Sequence, residues 1–283
     1  VNAYEDLLDH EDAHWAFGTG FADPLTGVDR AVPSDVDGLF EGCLALGDDA
    51  LVLAQRLAQW CSRAPELEED VALANIALDL LGQARLLLTR AGEVEGAGRG
   101  EDALAYLRDE REFRNVHLVE IECGPLVGGD FATTIARLLV FSSWRLAVFT
   151  RLCGHADPVL AAIAAKGVKE LAYHRDHAAQ WVVRLGDGTE ESHRRMTAGF
   201  ERVWPYVPEL FDADPMVDMA DVRSEVDSVV DAVFGAAGLE RPSVGPASRV
   251  NGRAGRAGVH TEAMGYLLAE MQYVHRSLPG ARW

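Results

Sequence analysis

Asn75, Asp79 and Gln83 recur every four residues in "VALANIALDLLGQARLLL", residues 71–88, a segment otherwise apolar on nearly every side. A helix with that profile is buried, and the polar stripe along it needs partners inside the protein. Two kinds of partner suit these side chains: metal ions, or polar groups on neighbouring helices. A di-metal carboxylate site in a helical bundle takes one Glu from each of two helices and a Glu-x-x-His from each of two others. That offset aims carboxylate and imidazole at one buried point. Two such strings occur, Glu11 with His14 and Glu190 with His193. Chance alone supplies roughly 0.7 matches in a chain with 22 Glu and 9 His. One string lies in an acidic arm and the other at the polar start of a fifth helix, so neither is read as a ligand pair.

The long apolar segments offer less than a metal pair needs. From Pro158 to Leu185 the apolar stripe contains His174, while Glu170 sits on its flank, about 80° off centre at 100° per residue. Residues 131–152 offer Ser142 and Ser143 at mid-length, and the first long segment offers Gln55 and Gln59. One Asp, one off-face Glu and one His cannot neutralise two iron ions. No catalytic and no metal-ligating residue is therefore expected in this chain. Asn75, Asp79, Gln83, Glu170 and His174 are expected to form a hydrogen-bonded core network, with Arg85 and Lys166 near them in the helical repeat. The rival reading is an independent di-metal oxidase in which water or glutamine completes a shell of Asp79, Glu170 and His174.

A second feature is basic. "ASRVNGRAGRAGVHTE" sets Arg249, Arg253 and Arg256 in a Gly-rich loop directly before a helix start at Thr261. Arginines beside free helix N-terminal amides suit phosphate groups such as those of coenzyme A. They equally suit an acidic patch on a partner protein, or plain solvent. The Met/Tyr-rich face of the helix that follows reads as core.

The elements that must position these groups are helical throughout. "GDDALVLAQRLAQWCSRAPE" carries aspartates where the positive end of a helix favours them and stops before Pro65. The stripe-bearing helix ends near Gly92. "EDALAYLRDEREFRNVHLVEIE" gives one or two shorter helices. Long helices follow over about 131–152, with Asp130 as cap, and 158–185, with Asp157 and Pro158 at cap and first-turn positions. Three more cover about 190–212, 218–237 and 261–278. No alternating strand pattern competes. The expected class is all-α: an antiparallel four-helix bundle with additional packing helices, over residues 39–283. Residues 1–38 form an acidic N-terminal arm, with Trp15, Phe17 and Phe21 suggesting that it lies along a surface.

Composition bounds the partners. The chain has 283 residues, 48% hydrophobic and 25% charged, with a formal net charge of -19. Nothing in that balance could neutralise a run of phosphates, so nucleic acid is excluded. Cys43, Cys61, Cys123 and Cys153 lie far apart without metal-finger spacing and read as reduced core thiols. The acidic opening is unlike a secretory start, and no apolar run is read as reaching the roughly 18 residues that suggest a membrane span, so a cytoplasmic protein without a membrane partner is expected.

"ALANIALDLLGQAR", "LRDEREFRN", "AAKGVKELAYHRDHAAQWVVRLGDGTEES", "ELFD" and "GVHTEAMGYLLAEMQYVHRSLPGARW" together resemble the C subunits of the bacterial phenylacetyl-coenzyme A 1,2-epoxidases, over about residues 39–283. The resemblance implies a ferritin-like bundle that acts as a non-catalytic structural subunit. It implies a catalytic A subunit that bears the di-iron centre, a small B subunit, and a reductase that feeds electrons from NADPH. The complex would epoxidise the ring of phenylacetyl-coenzyme A in aerobic phenylacetate catabolism.

Overall fold

Three aspartates mark helix starts, two of them, Asp130 and Asp157, at the caps the sequence predicts. In a computed structural model, which describes residues 25–32, 38–125 and 128–280, Asp130 Oδ1 accepts from Thr133 N at 2.8 Å and Asp157 Oδ1 from Leu160 N at 2.7 Å. Asp218 Oδ1 accepts from Ala220 N at 2.9 Å. Each satisfies an amide that the first helical turn leaves unpaired.

Nine α-helices and no strands occur among the described residues. They are α1 Leu39–Ala58, α2 Leu67–Glu95, α3 Glu101–Tyr106, α4 His117–Glu120, α5 Phe131–Leu152, α6 Pro158–Gly186, α7 Glu190–Val203, α8 Met219–Ala237 and α9 Glu262–Ser277. Short 3-10 turns lie at Glu110–Glu112, Trp204–Phe211 and Gly255–Ala257. The chain is all-α. It divides into two compact units, one drawn from the described parts of Val1–Ala31 and Gly128–Ala247 and the other from the described parts of Val32–Val127 and Ser248–Trp283.

In the Gly128–Ala247 unit, α5 packs on α6, α7 and α8. It is buried all round, with Arg137 and Arg145 fully enclosed. The Arg145 guanidinium lies 4.4 Å from the centre of the Phe149 ring, which gives a buried cation an aromatic face. Phe131 meets Trp181 edge-on at 4.9 Å, and Phe200 meets Phe234 at 4.5 Å. The α5–α7 crossing is close because Gly199 presents no side chain: a Cβ there would stand 3.0 Å from the Thr133 amide nitrogen. In the other unit α1 and α2 pack along each other, α3 and α4 close over them, and α9 returns from the far end of the sequence to lie against α1 and α3.

Three expectations are corrected. The first helix begins at Leu39, so Asp48 and Asp49 sit in its middle and are fully buried, not at its N-terminus. The helix expected over 190–212 stops at Val203 and continues as a 3-10 turn, where Pro205 and Pro208 supply no amide donor. Of the four cysteines, which are all free thiols, Cys43 and Cys123 are buried but Cys61 and Cys153 are exposed. Two helices, α2 and α5, are long and apolar enough to cross a membrane by length and composition; α5 is a core helix, with 94% of its most apolar stretch buried.

Candidate functional site

The residues singled out in the sequence as a core network lie on two long helices, α2 and α6. On α2, Gln83 is buried while Asn75 and Asp79 are half-buried. On α6, His174 is buried with its ring centre 6.2 Å from that of Tyr173 in a steeply inclined arrangement, and Glu170 pairs with Lys166 at 3.3 Å. Arg85, expected near that set, is exposed and turns to Glu101, with Nε and Nη2 donating at 3.0 and 2.9 Å. Asp79 belongs to one unit, and Glu170 and His174 to the other. Among the described residues no three histidine, cysteine or carboxylate side chains converge so as to hold a metal ion. The His193 ring is already engaged, its Nδ1 2.7 Å from the Gly186 carbonyl at the end of α6. Glu11 and His14 lie outside the described residues.

The polar centre that does exist is elsewhere, in the unit of α1, α4 and α9. Asp48 and Asp49, neighbours on α1, point to two different arginines. Arg108 grips both oxygens of Asp48, Nη1 at 3.0 Å and Nη2 closer still, and the Arg114 amide adds a bond at 2.8 Å. Arg256 forks onto Asp49 with Nη1 and Nη2 at 3.0 and 2.7 Å, and the Val116 amide donates at 2.9 Å. Arg256 Nη1 also reaches the carbonyls of Ala45 and Arg114. Parallel two-pronged contacts of this kind are the strongest ion pairs a guanidinium makes.

A third buried carboxylate, Glu120 at the end of α4, accepts four bonds. Asn115 Nδ2 and His260 Nδ1 approach Oε1 at 2.9 and 2.6 Å, while the Thr261 amide and hydroxyl reach Oε2 at 2.8 and 2.6 Å. His260 Nε2 donates to the Phe113 carbonyl at 3.1 Å, so both ring nitrogens face acceptors. Arg56 Nη2 ties the Glu120 carbonyl to the start of α9 through Ala263 O. His117 Nε2 donates to Val259 O at 2.6 Å, and Gln272 Nε2 to the carbonyls of Ala105 and Arg108.

Electrostatics follow from burial and pairing. Burial pushes the Asp48 carboxyl above its usual range, against the pull of Arg108. Burial pulls His260 down, but the hydrogen bond and charge of Glu120 outweigh it and hold the imidazole above its ordinary value. On the surface, Arg194 and Arg195 bring Glu191 down to about 2.

This centre fastens the segment 248–280 onto α1 and the stretch 104–120; its carboxylates are engaged by arginine, histidine and backbone. Sequence reasoning missed Asp48, Asp49, Arg108, Glu120 and His260. The signal present was the pair of strings "LRDEREFRN" and "GVHTEAM", which lie in the two stretches that interlock. The basic loop is also rearranged: Arg256 points inward to Asp49, whereas Arg249 and Arg253 stay at the surface, Arg253 donating to Ala257 O at 2.9 Å. The last helix is half as expected, with Met264 buried but Tyr266 and Tyr273 exposed.

Comparison with known proteins places this architecture. A family model described as phenylacetic acid catabolic protein matches residues 26–283. The chain is 46% identical over 250 residues to the C subunit of the 1,2-phenylacetyl-CoA epoxidase of Escherichia coli strain K12, an alignment spanning 85% of this chain and 97% of that one. A match along nearly the whole length, by family and by single relative, shows that the chain belongs to the phenylacetic acid catabolic protein family.

Proposed function

We propose that this chain is the structural, non-catalytic subunit of a phenylacetyl-CoA epoxidase, a cytoplasmic assembly that works in aerobic phenylacetate catabolism. Its partners are the catalytic A subunit with its di-iron centre, the small B subunit and the reductase; the chain itself holds no cofactor. One observation carries the reading. The interior carboxylates Asp48, Asp49 and Glu120 are each engaged by a cationic or hydrogen-bonding side chain from a distant part of the sequence. Such pairs favour a fixed interior over an open ligand shell, because removing either member strands a charge.

The described residues do not fit a di-metal centre, since no three of their histidine, cysteine or carboxylate side chains are grouped to hold even one ion. Asp79, Glu170 and His174 accordingly serve structure here, as parts of the helical interior. The test is metal analysis of the purified chain, alone and with the A subunit from the same source. The expected result is a stable complex in which iron follows the A subunit and turnover needs both. Two iron equivalents on this chain alone, with epoxidation of phenylacetyl-coenzyme A, would overturn it.

A further inference from the structure

α2 is more apolar than α5 over its most apolar stretch, yet 44% of that stretch is buried against 94% in α5. Its exposed part is ordered. Leu67, Val71 and Leu78 are 76%, 53% and 62% exposed, and at 100° per residue they fall within about 40° of one another. Single exposed leucines are ordinary, but a line of them along one helix marks a binding face. Seven residues beyond Leu78 the line reaches Arg85. There Leu51, Leu81, Ala84, Leu88 and Tyr106 enclose a socket of about 130 Å³, closed on one side by the Arg85–Glu101 pair.

The rim of this face is acidic. Glu66, Glu68 and Asp102 are exposed and Asp70 is half-buried, while the Arg85 charge is already matched by Glu101. A second copy would set the same carboxylates against themselves on chains that each carry a net charge of -19. Anionic lipid headgroups would be repelled in the same way.

We propose that this line and socket seat a helix of a second, different polypeptide. That helix presents apolar side chains at helical spacing, places one aliphatic or aromatic anchor in the socket, and is flanked by arginine or lysine. Resting on the reading of the chain as an epoxidase subunit, the proposal assigns this helix to the catalytic A subunit. Anchor side chains in such pockets dominate the affinity of helical interfaces, and a charged rim sets the rate of encounter.

The experiment titrates the full chain with the purified A subunit by calorimetry and stopped flow. Val71→Asp with Leu78→Asp should weaken binding at least ~100-fold while the thermal midpoint stays that of the wild type, because both side chains are exposed. Glu66→Lys with Glu68→Lys should slow association several-fold at low salt and lose that effect at high salt. Amide hydrogen exchange of the wild-type complex should protect residues 67–85, which holds even if the double variant were to fold poorly. Tight binding with unchanged affinity in the variant, or no protection of 67–85, overturns the docking face and leaves the proposed function standing. Failure of the wild type to bind the A subunit removes the proposed function and this proposal with it. Two further outcomes overturn the choice of partner: dimerisation of the chain that Leu78→Asp abolishes, or variant-sensitive binding to vesicles of phosphatidylcholine and phosphatidylglycerol.

Discussion

Arg256 shows how differently a residue reads from sequence and in the fold. In a Gly-rich basic loop it suggests a phosphate clamp; folded, it is the cation that neutralises a carboxylate at the centre of α1. Its partner Asp49 is 207 residues away, and that of Arg108 is 60 away, so no local periodicity can announce either pair. Arg256→Ala should destabilise the chain by about 3–5 kcal/mol in urea melts, because Asp49 is left charged and enclosed. Arg256→Lys should recover only part of this, since an ammonium cannot fork onto both oxygens. His260 gives a pH signature. Its proton is held more tightly in the fold than in the open chain. Its contribution is therefore complete below about pH 6.5, the ordinary histidine value, and is lost as pH rises through the higher folded value. His260→Gln should flatten the stability profile above about pH 6.5, with the wild type losing stability there and the variant changing less. Equal slopes in the two chains would refute this coupling.

Elements are legible where a single residue type decides them. Asp130, Asp157 with Pro158, and Asp218 each announce a helix start, and Asp130→Ala should cost about 1 kcal/mol by loss of the Thr133 amide bond, read from the denaturant midpoint. α1 is harder: Gly38 supplies no side-chain cap, whereas Asp48 and Asp49 imitate a first turn while lying at mid-helix. The stripe on α2 is plain in the sequence, yet less of that helix is buried than its composition implies, because an apolar composition does not say which face meets the protein and which is left for a partner. Spacing alone likewise hides the α5–α7 crossing. Gly199→Val should press a branched side chain onto the backbone of Ala132 and Thr133 and destabilise the chain by about 1–3 kcal/mol. Gly235→Ala on α8, where a Cβ meets nothing within 4 Å, is the matched control and should be tolerated.

At the scale of the molecule, the all-α class follows from the absence of any two-residue alternation, and the family from long strings that keep their order. The division into two units is not legible, because residues 248–280 complete the unit that opens with α1 while the whole of Gly128–Ala247 intervenes. A chain ending at residue 247 lacks Arg256, His260 and Thr261. It should therefore lose the cooperative melting of the α1–α4 unit, checked by differential scanning calorimetry against the full chain. The same threading orders events during synthesis. The ribosome releases α1 with Asp49 early, yet the counter-charge of Asp49 on Arg256 emerges only after α5, α6, α7 and α8 have all been made. Until residues 256–261 are made the unit of α1 stays incomplete, with an unmatched acidic group inside, which makes it the natural client for a chaperone or for early capture by a co-synthesised partner.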